Sequence, residues 1–480
     1  MRQRRGERSA LVVKEPPEAV DAQHAEIAAS HTPTALRLRW LPPLWLFAAL
    51  AIVLFAVETH LDPQDIGEYQ CYALTFWHGA QATAALPQGS CLVPLASLNP
   101  LPFHELPREY GPLALLVFSP PLLAPLNWYL PLFVCEMLAI ILGLTWLLNR
   151  YGAYGAGHAL LLYLMLGSTL TATGRFDIVP GACCLLALLA IQRAKRQQGD
   201  YSEYWSYWAY AALAVGTLLK FFPALLLPIL LIETWRRRDP AKSPFSWRLW
   251  RGFALFAGIV ALGEGLTFAL NPAALLAPLH FGLARCVQVE SVPATLTWLL
   301  AQVTGARVGL PYTYNSTCLV APGVDIFSPL CLALALVGIA CTLWLFWRHT
   351  LSMAVAACLL LCLAMLGSKV FSPQYLLWVS PLVAWEFGLD GAALTAWGLI
   401  CAATSLCYPL SYHSLLLLWT KIPPTTAVPV TAALRNILLT ALVVLILRRP
   451  DLLRRDASRA VGKAHVDGRD AGDNLERRPT

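Results

Sequence analysis

Charged residues are scarce in this sequence. They make up 13% of its 480 residues, whereas 57% of the residues are hydrophobic. A soluble protein carries about a quarter charged residues, so this composition excludes an ordinary soluble domain. Several apolar runs approach the roughly 20 residues that cross a hydrocarbon core. The chain is therefore predicted to be an all-α polytopic membrane protein.

Signatures of nucleotide and metal chemistry are also missing. No P-loop, nucleotide fingerprint or base–nucleophile triad stands out, and the 13 cysteines show no metal-ligand spacing. No metal site is predicted. The net charge of +7 does not predict binding to nucleic acid, because the bases lie in the tails and in alternate connectors. In a membrane protein that pattern indicates orientation. The 35 prolines favour broken spans around a cavity.

About twelve crossings account for the distribution of basic residues. They make a transmembrane domain over 41–447, between disordered cytoplasmic tails at 1–40 and 448–480, with extracytoplasmic loops at 58–110 and 272–327. The segment Gly111–Leu126 is too rich in proline for a straight span and is predicted to be re-entrant. The candidate spans are 41–57, 128–148, 158–173, 178–192, 205–220, 222–235, 251–271, 328–347, 350–367, 371–387, 390–409 and 430–447.

The first outer loop is strongly acidic. Between Glu58 and Pro112 it carries six acids and one base, Arg108. We interpret it as the segment that holds the catalytic carboxylate, with Asp65 as the first candidate. Asp62 and Glu68 are close enough in sequence to take that role instead.

Several cations stand on the outer side, against the usual bias of membrane proteins. They are Arg175, Lys220, Arg285 and Lys369. An ionisable group at such a position is commonly retained for a partner, and four cations facing the cavity of Asp65 would suit a phosphate-bearing ligand. The alternatives are that they snorkel to lipid phosphates, or that Arg175 pairs with Asp177.

This inventory of charges fits one reaction. An acceptor hydroxyl that attacks an anomeric carbon must lose its proton to a base. Hydrolysis of a glycoside also needs an acid, because a sugar alkoxide leaves poorly. A phosphate leaves as a stable anion and needs only positive charge near its oxygens. One carboxylate with several cations therefore indicates transfer from a sugar phosphate.

Five short motif blocks occur along the chain from residue 65 to residue 375. They are Asp65-Ile66-Gly67-Glu68-Tyr69, Glu109-Tyr110-Gly111-Pro112, Lys220-Phe221-Phe222-Pro223, Arg285-Cys286-Val287-Gln288-Val289-Glu290-Ser291 and Ser372-Pro373-Gln374-Tyr375. These blocks resemble, in the same order, those of a known family, DUF2029 or glycosyltransferase family 87. Gly111 departs from the proline that the family usually has at that position.

The resemblance implies a GT-C-type helical bundle that moves a sugar, commonly mannose, from a polyprenyl-phosphate donor to a glycolipid or glycan acceptor with inversion. It also implies that Asp65 is the general base. Tyr69 and Tyr110 are candidates for lining the sugar pocket, or are interfacial aromatics. Glu290 can bind the sugar, bind a metal or fix Arg285, and Gln374 is a polar contact at the mouth. No cofactor is required, although some GT-C relatives use a divalent cation.

A secondary transporter is the alternative, because twelve crossings with both termini inside suit such a protein. Transporters usually show two related halves, and the acidic first loop has no counterpart in the second half. Two cysteine pairs, Cys71 with Cys91 and Cys286 with Cys318, fall in the predicted outer loops. In an oxidising compartment both can form disulfides.

Reporter fusions test the predicted orientation. A fusion after Asn99 and one after Tyr312 should both report an outer location, because both loops lack the basic bias of cytoplasmic segments. A fusion after Arg196, in a basic connector, is the cytoplasmic control. A cytoplasmic signal from either outer fusion would contradict the topology.

Overall fold

The computed structural model describes residues 44–45, 47–53, 56, 64–86, 91, 97–197, 200–237, 247–412 and 423–449. The chain divides into two compact units, Met1–Ala48 and Ala49–Thr480. Of the first unit only residues 44, 45, 47 and 48 are described, and these are helical. The predicted 1–40 tail, nearly all of the predicted 448–480 tail, and Asp62 lie outside the described residues.

Helices make up nearly all the regular structure of the second unit. The first eight are α1 Gln64–His78, α2 Ala114–Phe118, α3 Tyr129–Tyr151, α4 Ala156–Gly167, α5 Thr169–Gly174, α6 Ile178–Arg196, α7 Asp200–Leu219 and α8 Leu227–Arg236. The next eight are α9 Trp247–Leu270, α10 Ala277–Ala284, α11 Val292–Thr304, α12 Val324–Trp347, α13 Met353–Gly367, α14 Leu376–Phe387, α15 Gly391–Ser405 and α16 Pro424–Arg448.

Short elements connect these helices. One antiparallel hairpin pairs β1 Tyr312–Thr313 with β2 Ser316–Thr317. A π-helical turn, Leu406–Ser411, extends α15. The 3-10 turns are Ala80–Ala85, Pro120–Leu123, Leu126–Trp128, Phe222–Leu226, Pro272–Ala274 and Pro373–Tyr375.

Six helices in the described part of the chain are long and apolar enough to cross a membrane by length and composition. They are Leu126–Tyr151, Ile178–Arg196, Trp250–Leu270, Val324–Trp347, Gly391–Ser411 and Thr425–Arg448. Helices also occupy the other predicted spans beyond residue 128. One of them, α7, has 20 residues, and the others are shorter or broken, as at α4 followed by α5. The chain is thus a multi-helix membrane protein. The count of twelve crossings stays a prediction.

Exposure separates the lipid-facing helices from the core. On α9 and α12, large apolar side chains are exposed, among them Leu262 at 66% and Leu334 at 62%. Exposure of apolar surface on this scale suits contact with lipid and not with water. In contrast, nearly every residue of α13 and α14 is buried. These two helices pack against each other at the centre of the bundle.

Part of the predicted first outer loop is helical, which the sequence did not predict. Asp65 lies in the first turn of α1, a helix of 15 residues. Most apolar side chains of α1 are buried, including Ile66 and Leu74, although Trp77 is exposed. This packing stabilises a helix that its polar composition obscured in the sequence. The segment Gly111–Leu126 is broken as predicted, with α2 ending just before Pro120.

Both candidate cysteine pairs are disulfides. Cys71 is bonded to Cys91, and Cys286 is bonded to Cys318. The first bond links α1 to the loop that follows it. The second closes the base of the β1–β2 hairpin against residue 286.

Thiol counting tests these bonds. Protein that is purified without reductant and alkylated in a denaturing detergent should carry nine alkyl groups, because nine cysteines are free. Prior reduction should raise the count to 13. Mass spectrometry gives both numbers. Labelling of all the cysteines without reduction would contradict the structure.

Candidate active site

One polar cavity of about 470 Å³ is lined by residues from all five motif blocks of the sequence. All the predicted site residues except Tyr69 line it. They are Asp65, Tyr110, Arg175, Lys220, Arg285, Glu290, Lys369 and Gln374. Segments more than three hundred residues apart in sequence therefore share this cavity, as the site hypothesis requires.

Asp65 forms a salt bridge with Arg175. Arg175 follows the end of α5 in extended conformation, which directs its side chain toward the start of α1. Both side chains are partly exposed to the cavity, at 32% for Asp65 and 25% for Arg175. The expected alternative, a pair between Arg175 and Asp177, is wrong. Arg175 instead holds the Asp65 carboxylate in place.

Asp177 pairs with Lys220. The Lys220 ammonium lies 2.7 Å from Oδ1 of Asp177, and the Trp378 indole N–H donates to the same oxygen at 2.8 Å. Asp177 is 1% exposed, and a buried carboxylate without partners would be strongly destabilising. The three residues thus join α7, α14 and the turn before α6.

Aromatic rings surround Lys220. Its Nζ lies 5.3–5.6 Å from the ring centroids of Tyr110, Phe176, Tyr375 and Trp378. Cation–π contacts of this kind stabilise a desolvated ammonium. The Asp177 carboxylate neutralises the charge of Lys220, and the four aromatic rings enclose the ammonium.

Arg285 and Lys369 are placed differently. Within the described residues neither forms a salt bridge, although both line the cavity. The Lys369 ammonium donates to the Leu283 carbonyl at 2.6 Å, and the Arg285 guanidinium lies over the Phe281 ring. Partial burial, and then the charge of Arg285, lower the pKa of Lys369. An anion bound between them would relieve this repulsion.

Two further acids lie beside Asp65. Burial raises the pKa of Glu68 to about 8, with additional contributions from the charges of Glu109 and Asp65. Burial likewise raises the pKa of Glu109, and Arg285 opposes that shift. At neutral pH, Glu68 therefore mostly carries its proton. Of the two acids on α1 that line the chamber, Asp65 is the one held by an arginine.

The two predicted tyrosines differ in position. Tyr110 lines the cavity, whereas Tyr69 is fully buried behind it and stacks on Phe118 with 4.3 Å between ring centroids. Tyr69 thus belongs to the aromatic support of the chamber and is not part of its lining. Next to Tyr110, a Cβ on Gly111 would lie 2.1 Å from the Leu218 carbonyl oxygen. The Gly111 N–H also donates to Leu219, so neither proline nor a side chain would fit there.

Glu290 is fixed by the last helix. It forms a salt bridge with Arg435 at 3.7 Å, so the expectation that Glu290 fixes Arg285 is wrong. Just after it, the Ser291 side chain caps α11, accepting a hydrogen bond from the backbone N–H of Ala294. This cap and Pro293 start the helix at a defined residue.

Gln288 joins the second outer loop to the Ser372 block. Its Oε1 accepts hydrogen bonds from the Phe371 N–H and the Ser372 hydroxyl, both at 3.1 Å. Its backbone N–H donates to the Lys369 carbonyl at 2.9 Å. Gln374 lines the cavity from the same block, and its buried Oε1 has no hydrogen-bond partner in the described part of the chain.

Several chamber residues were not assigned roles from the sequence. Glu109 and Gln288 lie inside the recognised motifs. Arg435 does not itself line the cavity and contacts it through Glu290. It interrupts an apolar span, which is the usual signal of a functional ionisable group. Tyr408, Tyr412 and the 315–317 turn carry no comparable signal, because only the tertiary fold brings them to the cavity. Among the described residues, no three His, Cys, Asp or Glu side chains are grouped so as to hold a metal ion.

Comparison with protein-family models matches residues 109–373 to glycosyltransferase family 87. The matched region is more than half of the chain. It contains three of the five motif blocks completely and ends at Pro373, inside the Ser372 block, whereas the Asp65 block lies before it. No curated protein and no solved structure matches the chain.

Substitution of Glu68 by glutamine tests the protonated state of this acid. An acid whose pKa rises on folding binds more protons in the folded state than in the unfolded state. Between pH 4.5, the ordinary pKa of a glutamate, and about pH 8, the pKa of Glu68 in the folded protein, the Glu68 side chain therefore lowers the free energy of unfolding as the pH rises. Glu68→Gln should therefore raise the melting temperature at pH 8 by several degrees relative to wild type, with little change at pH 4.5. Thermal unfolding in detergent measures this, with the exposed Glu203→Gln as control. Equal effects at both pH values would contradict the assignment.

Proposed function

Because the chain belongs to glycosyltransferase family 87, we propose that it transfers a sugar, mannose in the first instance, from a polyprenyl-phosphate donor to an acceptor hydroxyl on the extracytoplasmic side of the membrane, with inversion. The observation that carries this proposal is the sorting of charge in one cavity. A carboxylate held by an arginine lines the same chamber as two cations, Arg285 and Lys369, that form no salt bridge within the described part of the chain.

In this proposal Asp65 is the general base. Its carboxylate is accessible to the cavity and is oriented by Arg175. It accepts the proton of the acceptor hydroxyl as that oxygen attacks the anomeric carbon, from the side opposite the phosphate. The single displacement inverts the configuration of that carbon. A substrate held in this geometry gains much of the rate from orientation alone.

Arg285 and Lys369 are the proposed phosphate ligands. As the bond from the anomeric carbon to the phosphate oxygen breaks, negative charge grows on the leaving phosphate. Cations held close to that charge stabilise the transition state. Lys220 and Arg175 contribute less, because Asp177 and Asp65 already neutralise them.

The disulfides and the distribution of basic residues support an extracytoplasmic site. The Cys286–Cys318 disulfide lies next to Arg285 and Thr317, which line the chamber, and Cys71 of the other disulfide belongs to α1, which carries Asp65. Disulfides persist in oxidising compartments. The basic connectors near Arg193 and Arg236 lie at the other ends of α6 and α8, which the charge bias places in the cytoplasm with both termini. The match to a glycosyltransferase family favours this transferase over the secondary transporter.

Replacement of Asp65 by asparagine tests the base. Asp65→Asn should lower the rate of transfer about 10²–10⁴-fold, because the amide cannot accept the proton. Binding of polyprenyl-phosphate mannose should stay within a few-fold of wild type. Asp325→Asn, which changes an exposed aspartate in the first turn of α12, is the matched control. Wild-type turnover by Asp65→Asn, with loss in Glu68→Gln, would move the role to Glu68.

Neutral substitutions test the phosphate ligands. Arg285→Gln and Lys369→Met should each weaken donor binding about tenfold, since a hydrogen bond to a charged group contributes roughly 1.5–3 kcal/mol. Arg307→Gln, at an exposed arginine of the same outer loop, should leave binding unchanged. Binding of the radiolabelled lipid in detergent gives the constants. Donor affinity unaffected by both substitutions would contradict the assignment.

A further inference from the structure

Arg435 is the largest fully buried side chain among the described residues. It lies within α16, inside an apolar span and beyond the region that matches the family. A buried charge is costly unless it is paired and hydrogen-bonded. Arg435 meets this condition through hydrogen bonds to Asn436 of its own helix and through contacts with Glu290 and Phe371 at the wall of the chamber.

Those contacts join two motif segments. Nη2 of Arg435 donates to the Glu290 carbonyl at 2.5 Å and to the Phe371 carbonyl at 3.2 Å, and the guanidinium lies 3.8 Å from the Phe371 ring centroid. Asn436 adds a hydrogen bond from Nδ2 to the same Glu290 carbonyl at 3.0 Å and another to Thr295 at 2.8 Å. The backbone at Glu290 is therefore held by two adjacent residues of one helix.

The side chains of this pair are left incompletely bonded. Nη1 of Arg435 lies 3.7 Å from Oε2 of Glu290, and within the described residues neither atom has a hydrogen-bond partner. Glu290 is 2% exposed, yet its side chain lines the cavity. A buried acceptor without a partner needs an explanation, and a ligand hydroxyl in the chamber that Glu290 lines would supply a donor. Gln374 presents a second such acceptor, Oε1.

We propose that Arg435 is a positioning residue that fixes the Glu290 carboxylate as the acceptor for a hydroxyl of the donor sugar. This inference rests on the proposed function. A carboxylate and a carboxamide oxygen recognise the hydroxyls of a hexose, whereas the phosphate is bound elsewhere, at Arg285 and Lys369. Glu290 and Arg435 should therefore affect recognition of the sugar and leave recognition of the lipid phosphate intact.

A comparison of two lipids tests the proposal. The affinity of the detergent-solubilised full chain is measured for polyprenyl-phosphate mannose and for bare polyprenyl phosphate. Their ratio reports the sugar contacts alone. Wild type should prefer the glycosylated lipid. Glu290→Gln and Arg435→Lys should each lower that preference about tenfold, the effect of losing one hydrogen bond to a charged acceptor, with affinity for the bare lipid unchanged.

Two variants keep the test independent of folding. Glu290→Gln leaves the backbone bonds to Arg435 and Asn436 in place, because those bonds use the Glu290 carbonyl. Arg435→Lys keeps the positive charge, and Arg448→Lys, in the exposed last turn of the same helix, is the matched control. If Arg435 acts through Glu290, the double variant should lose no more preference than either single variant.

The outcomes are distinct. Losses that add in the double variant, or equal losses for both lipids, would mean that Arg435 serves only the fold and would overturn the inference while leaving the proposed function standing. Preference retained by both single variants would overturn it as well. If wild type binds neither lipid, the proposed function fails and this inference fails with it.

Discussion

A charged group inside an apolar helical bundle is stable only when it is paired, and this constraint organises the chamber. Asp65 pairs with Arg175, Asp177 with Lys220, and Glu290 with Arg435. Each pair joins segments that are distant in sequence, so the ionic contacts also assemble the cavity. The aromatic rings around Lys220 shield its pair with Asp177 from water. The exclusion of water strengthens the electrostatic interaction of that pair.

The same constraint identifies the groups available for chemistry. Among the described residues of the chamber, Arg285 and Lys369 are cations that form no salt bridge. Within the same residues, Oε2 of Glu290 and Oε1 of Gln374 are acceptors without a hydrogen-bond partner. Cations suit a phosphate, and acceptors suit the hydroxyls of a sugar. Asp65 is paired but partly exposed, so its carboxylate is oriented without being enclosed. The proposed function divides one chamber among a base, a phosphate subsite and a sugar subsite.

Much of this architecture could be predicted from the sequence, because membrane spans and outer cations follow from composition. The cavity residues were recognised where polar groups interrupt apolar runs, as at Arg175 and Lys369. The choice of ion-pair partners could not be read in the same way. Asp177 is two residues from Arg175 but pairs with Lys220, since the turn before α6 directs it toward α7. The helical state of α1 was also missed, because its stabilising contacts are tertiary.

The structure of the protein with polyprenyl-phosphate mannose bound, solved by electron cryo-microscopy, tests the central claim most directly. The account predicts phosphate oxygens at hydrogen-bond distance from Arg285 and Lys369, with the anomeric carbon turned toward Asp65. A lipid phosphate bound against Lys220 and Asp177, or a sugar separated from Asp65 by the protein wall, would contradict it.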